Sequence, residues 1–167
     1  MKNKDIDEPQ ASLESGKGER VEKTITLNLP VAQVYAFWRH LENLPHFMSH
    51  VQSVSEHGQG RSHWVVKTVG DKRMEWDAEI IADRENEMIS WRSLPGADVD
   101  NAGSVWFTPV AGGAGTEVRV LFRYSPPAGK LGAGIAKVFG RDAESEVEED
   151  LHRFKELLEG RQVHSPH

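Results

Sequence analysis

The residues best suited to chemistry fall into a few short groups, and each group has to be weighed against the element that would carry it. Glu75, Asp77 and Glu79 alternate along one predicted strand, so their carboxylates share a face as an acid/base pair requires. The other face of that strand carries Met74, Trp76, Ala78, Ile80 and Ala82, so the acids, with Asp83, read as its solvated side. His46 and His50 are four residues apart, the spacing that brings two imidazoles together on a helix for a metal. Pro45 lies beside them, and no third ligand accompanies them, so a helix-cap or surface role fits better. The run Asp98-Val99-Asp100-Asn101-Ala102-Gly103 matches half of a calcium loop, but the twelfth position is Pro109 where the loop needs Glu, and it reads as a connection between strands. Ser62, Ser90 and Ser104 lack a nucleophile-elbow pattern. Gly112-Gly113-Ala114-Gly115 has no Lys-Ser/Thr phosphate signature and reads as a hairpin turn. With no cysteine in the chain, thiolate ligands, disulfides and a Cys nucleophile are excluded. No catalytic residue, metal site or cofactor is expected.

Composition narrows the partners. The chain has 167 residues, enough for one domain, and 20 basic against 26 acidic residues give a net charge of −6 with no basic block. That balance argues against a nucleic-acid binder held by phosphate contacts. No apolar run reaches the roughly 18 residues of a membrane span, and no secretory signal pattern opens the sequence, so a cytoplasmic protein is expected. Five Trp and six Phe supply a core.

The elements that must position these side chains are organised around the C-terminal stretch. Ala143, Val147, Leu151, Phe154 and Leu158 form one apolar stripe, widened by Leu157, on a helix that starts near Asp142. Acidic residues crowd its first half while His152, Arg153 and Lys155 follow, as the helix dipole favours, and Gly160 reads as its stop. Residues 1–20 are polar and read as a disordered tail, 21–160 as the domain and 161–167 as a second tail. From Val21, Ile25, Leu27 and Leu29 alternate with polar residues as a strand. Pro30 ends it and suits the start of a short helix with Val34, Tyr35, Phe37 and Trp38 on its apolar face, followed by a second short helix or tight loop over 43–50. About six further strands follow, over 51–56, 62–69, 73–83, 88–93, around Val105 and Phe107, and from Val118 to Tyr124, with Gly70-Asp71-Lys72 a turn and 94–101 a polar loop. Consecutive strands on short turns imply an antiparallel sheet, and the economical α+β solution is one strongly curved sheet of about seven strands wrapped around the terminal helix.

That order resembles the helix-grip fold of the START/pollen-allergen-like superfamily. Locally the sequence resembles the bacterial proteins labelled polyketide cyclase/dehydrase, or SRPBCC proteins. The resembling pieces include Val34-Tyr35-Ala36-Phe37-Trp38-Arg39, Leu41-Glu42-Asn43-Leu44-Pro45, Ser62-His63-Trp64, Glu75-Trp76-Asp77-Ala78-Glu79-Ile80 and Trp91-Arg92-Ser93-Leu94-Pro95-Gly96. They continue through Asn101-Ala102-Gly103-Ser104-Val105, Gly115-Thr116-Glu117-Val118, the stretch from Tyr124 and Pro126-Pro127 to Phe139-Gly140, and Asp150-Leu151-His152-Arg153-Phe154-Lys155, covering about 21–160.

The resemblance implies an elongated apolar cavity between sheet and final helix, which relatives use for sterols, lipids, plant hormones, polyketides or quinones. Met74, Trp76, Ile80, Trp91 and Phe107 stand at alternating strand positions that would line it, as do Val118, Val120 and Phe122, facing Leu151 and Phe154 on the helix. A solid core is the competing reading of the same alternation. His63 and Arg92 are the polar residues to watch as ligand anchors at a cavity mouth. Leu131, Ile135 and Phe139, with Val138, fall at amphipathic spacing among glycines that weaken a helix, which suits a gate over the cavity, a peripheral membrane contact, or simple packing under the sheet. Three functions are open: binding of a hydrophobic small molecule such as a lipid, isoprenoid/quinone or polyketide; an aromatase/cyclase or dehydratase using the same cavity; and an interaction protein with a vestigial one. The enzyme needs a buried ionisable group facing the cavity, and no residue in the sequence declares itself as one. Either a monomer or a homodimer through an exposed strand would serve.

Overall fold

A computed structural model of the chain describes residues 19–67, 73–110, 112, 114–125 and 143–164. Of the tail expected over 1–20, residues 1–18 lie outside the described residues, as do the turn at Gly70-Asp71-Lys72 and the Leu131, Ile135, Phe139 gate, while Glu19 and Arg20 are the first residues of a strand rather than tail. Seven antiparallel strands form one sheet: β1 (Glu19–Leu27), β2 (Val51–Gly58), β3 (Arg61–Lys67), β4 (Arg73–Arg84), β5 (Met88–Ser93), β6 (Asn101–Pro109) and β7 (Thr116–Tyr124). Their order is β1-β7-β6-β5-β4-β3-β2, so every neighbour after β1 is joined by a hairpin and only β1 crosses to pair with the last strand. Helix α1 (Val31–Arg39) and a 3-10 helix (Leu41–His46) follow β1, and helix α2 (Ala143–His164) closes the chain. This is the α+β helix-grip architecture.

In β3 and β4 buried and exposed residues alternate, because one face lies under the helices and the other meets water, whereas consecutive residues of β5 and β6 are buried on both faces. Along β4, Met74, Trp76 and Ala78 are buried while Glu75 and Asp77 are exposed. Helix α1 begins at Pro30, whose carbonyl accepts from the N–H groups of Gln33 and Val34 at 3.0 and 3.2 Å. It buries Val34, Tyr35 and Trp38.

Helix α2 buries Leu151, Phe154 and Leu158 and spans the gap between the two edge strands. On the β1 side, Lys155 Nζ donates to Thr26 O at 2.8 Å, the Asn28 N–H donates to Glu159 at 2.9 Å, and Lys23 lies between Glu144 and Glu148 at 3.5 and 3.6 Å. On the β2 side, Arg153 Nε donates to Phe47 O at 3.1 Å, and His50 Nε2 meets Glu146 at 3.2 Å. Polar ties on both flanks and an apolar stripe between them hold the helix over the concave face.

Three further sequence expectations are corrected. The helix does not stop at Gly160 but continues to His164, so 161–164 are helical rather than tail. Asn101 is not loop but the first residue of β6. Asp83 does not share the outer face with Glu75 and Asp77. The β4–β5 register slips between Ile80 and Ala82, leaving Ile81 as an extra residue, and a one-residue slip reverses the facing of the strand beyond it. Asp83 therefore turns to α1, where it accepts from Tyr35 Oη at 2.5 Å and Arg39 Nε at 2.8 Å. Burial, then this carboxylate, pushes the Tyr35 hydroxyl up to about 12, so it stays a donor.

Candidate functional site

Trp64, Trp76 and Trp91 come from three adjacent strands and point to the concave side: Trp64 and Trp76 stand at even steps from the buried residues of β3 and β4, and Trp91, the register partner of Gly103, stacks on Trp64. Trp64 and Trp76 are register partners, with ring centroids 6.1 Å apart and planes tilted by 17°. Trp64 also stacks on Trp91, two strands away, at 6.3 Å and 17°, with the small Ala78 on the strand between them. Trp91 in turn reaches over Gly103 of β6: a Cβ on Gly103 would stand 2.6 Å from its Cζ2. Glycine at that position is what lets the indole lie there.

These three indoles form one wall of a cavity of about 110 Å³. Val120 and Phe122 of β7 continue the wall, Trp38 and Phe47 close the inner end, and Val147 and Leu151 of α2 form the roof. At the rim the character changes to His50, Glu146 and Asp150. Asp150 accepts from the Ser49 N–H at 3.3 Å and from the Arg153 guanidinium. Burial outweighs both and raises its carboxyl from 3.8 to about 6. Asp150 is thus an ionisable group at the cavity rim, beside His50 and Glu146, that sequence reading did not single out. Its signal was present: it precedes Leu151 and falls three residues after Val147, beside the apolar stripe.

Of the residues expected to line the cavity, the structure brings Trp76, Trp91, Val120, Phe122 and Leu151 to its wall. Met74, Ile80, Phe107, Val118 and Phe154 belong to the core that supports it. Phe107 packs edge-on against Tyr35 at 5.6 Å and Trp38 at 6.3 Å, and Phe154 fills the space between Trp38 and Phe47 at 5.1 and 4.7 Å. His63 and Arg92 sit on the opposite face of the sheet, away from the cavity. Each directly neighbours an inward-facing Trp, and successive side chains on a strand point to opposite faces. His63 bridges Asp77 and Glu75 at 2.8 and 2.9 Å, and Arg92 pairs with its register partner Glu79 at 2.8 Å. The alternating acids are thus the anionic half of a cross-strand charge ladder on the outer face. Among the described residues no cluster of His, Asp or Glu could hold a metal ion, and no helix is long and apolar enough to cross a membrane.

Comparison with known proteins agrees with this geometry. The chain is similar to DR_A0006 from Deinococcus radiodurans, with 36% identity, 85% of this chain and 99% of that one covered, and a TM-score of 0.69. It is 29% identical over 144 residues to an uncharacterized 17.2 kDa protein of Streptomyces lincolnensis, covering 85% of this chain and 91% of the other. The Zhui aromatase/cyclase of a Streptomyces species shares the fold, at 21% identity, 89% and 97% coverage and a TM-score of 0.62. The family model for polyketide cyclase/dehydrase and lipid transport matches residues 27–152, from the end of β1 to the middle of α2 and so across every wall of the cavity. With six of the seven strands, the first half of the gripping helix and every cavity-lining residue inside that match, the chain belongs to the polyketide cyclase/dehydrase and lipid transport family, a hydrophobic ligand-binding fold.

Proposed function

We propose that this protein binds a hydrophobic small molecule, of lipid, isoprenoid/quinone or polyketide type, in the cavity between sheet and C-terminal helix. The observation that carries this reading is the cavity itself, walled by indoles and aliphatic side chains and backed by the hydrophobic core. Burial of apolar ligand surface, at about 25 cal/mol per Å², supplies the driving force before ordering costs. The test is mass spectrometry of the organic extract from denatured wild-type protein, beside a Val147→Trp variant shown to be folded by circular dichroism. Val147 is half-buried on the helix roof, so the indole fills the cavity with little overpacking below. A stoichiometric apolar molecule in the wild type alone is expected. An empty wild-type extract, with no thermal shift against lipid, quinone and aromatic panels, overturns the reading.

One observation favours a second reading, an aromatase/cyclase or dehydratase acting in the same cavity. Asp150 is a half-buried carboxyl at the cavity rim that burial raises to about 6, toward the range useful for proton transfer. Its mark is a time-dependent conversion of the bound molecule that Asp150→Asn abolishes while leaving binding intact.

A further inference from the structure

Two residues that line the cavity have hydrogen-bonding capacity left unused. Asn101 Oδ1 and Trp38 Nε1 are buried with no hydrogen-bond partner among the described residues. Their residues are 1% and 0% exposed, and both line the cavity. The Asn101 amide is oriented by its own contacts. Nδ2 donates to Val99 O at 2.9 Å and the backbone N–H donates to Ser93 Oγ at 3.0 Å, so the atom left over is the oxygen, an acceptor. Trp38 Nε1 is a donor only. By contrast, Trp64 Nε1 on the same wall donates to Ser62 Oγ at 3.0 Å. Folded proteins leave few buried polar groups unsatisfied, because an unmade bond in apolar surroundings costs the full desolvation of the group.

The space available limits what can satisfy them. About 110 Å³ is somewhat less than the roughly 150 Å³ engineered cavity that takes benzene. One ring fits, and the parallel indoles of Trp64, Trp76 and Trp91 offer aromatic surface to meet it.

Resting on the proposal that the cavity binds a hydrophobic molecule, we propose that it selects the oxygenated aromatic end of that ligand. A ring hydroxyl donates to Asn101 Oδ1, and a second oxygen, carbonyl or hydroxyl, accepts from Trp38 Nε1. Any remainder of the ligand lies toward His50, Glu146 and Asp150 at the rim. Asn101 and Trp38 are thus the specificity-determining residues of the site.

The test is isothermal titration of wild-type protein with ethylbenzene, 4-ethylphenol, acetophenone and 4-hydroxyacetophenone, which differ in donor and acceptor but share one ring. The hydroxyl and the carbonyl are each expected to tighten binding by about tenfold, the worth of one satisfied buried hydrogen bond. Asn101→Leu should erase the affinity ratio between 4-ethylphenol and ethylbenzene, and Trp38→Phe the ratio between acetophenone and ethylbenzene, each ratio being read within one variant. Equal wild-type affinity for all four probes overturns the proposal while leaving hydrophobic binding intact, as it would where ordered water already satisfies the two atoms. Binding of none of the four, ethylbenzene included, overturns the cavity-binding reading and this proposal together. The wild-type series decides the matter even where Asn101→Leu, which also loses the bond to Val99, fails to fold.

Discussion

At Gly103 a missing side chain shapes the site. Its Cβ would meet Trp91 at 2.6, 3.0 and 3.0 Å, and Trp91 cannot retreat freely because Trp64 stacks on it at 6.3 Å. Gly103→Ala should therefore destabilise the fold by about 1–3 kcal/mol, the usual cost of overpacking a well-filled core. It should also change the near-ultraviolet circular dichroism of the stacked indoles and weaken binding of any one-ring ligand. A variant with wild-type stability and spectrum would mean that the indole does not hold this position. Sequence reading reached Trp76 and Trp91 because strand alternation marks inward positions irrespective of fold. The same alternation, applied to the neighbours of Trp64 and Trp91, would have sent His63 and Arg92 outward; the possibility that polar residues flank a cavity overrode it. Asn101 was hidden by composition, since Asp98, Asp100 and Asn101 read as loop. The register Asn101, Gly103, Val105, Phe107 continues the inward set of β6 back to the amide, and this was the signal available.

At the scale of elements, α2 rests on Phe154. That ring is 0% exposed and lies within 6.1 Å of Phe37, 5.1 Å of Trp38 and 4.7 Å of Phe47. Phe154→Ala should cost about 3–5 kcal/mol, as the loss of a fully buried aromatic usually does. Because Trp38 and Phe47 are also cavity wall, the variant should accept larger aromatic probes than wild type. Denaturant unfolding and the probe series read the two effects separately, and a loss below about 1 kcal/mol would mean that the helix is held mainly by its polar flanks. The stripe on α2 was legible because a period of 3.6 over several turns has one physical meaning. Its end was not. A glycine in an exposed helix costs only about 1 kcal/mol relative to Ala, so the helix runs through Gly160 where sequence reading stopped it. The slip in β4 was equally silent, since Ile81 is a good strand former and nothing in its type announces that it has no partner across the ladder.

For the molecule as a whole, the titrating groups act in opposite directions, and their signs fix the shape of its stability against pH. The Arg119 guanidinium beside Glu22 holds that carboxyl below its usual 4.5, so its contribution is present above that value and is lost as acid protonates it. Asp150 works the other way. Burial raises its folded pKa from 3.8 to about 6, so the folded state is favoured while the carboxyl is protonated, and that advantage is lost as pH rises from about 4 through 6. On the outer face, the Asp77 and then Glu75 hydrogen bonds raise His63 above 6.5. Its contribution is complete below 6.5 and fades at higher pH, and it is small because the ladder is solvent-exposed. Stability should thus pass through its maximum on the acid side of neutrality and decline toward pH 8, with Asp150 the larger cause. In Asp150→Asn the amide oxygen can still accept from the Ser49 N–H, while the burial penalty on a charge is gone. The variant should be about 1–3 kcal/mol more stable than wild type at pH 7.5, with the difference shrinking toward zero near pH 4, in parallel urea titrations across that range. A constant offset between the two proteins at every pH would show that the gain is packing rather than charge. A wild-type carboxyl that stays ionised down to its ordinary range would remove Asp150 as the rim's proton-transfer group and leave the cavity to binding alone.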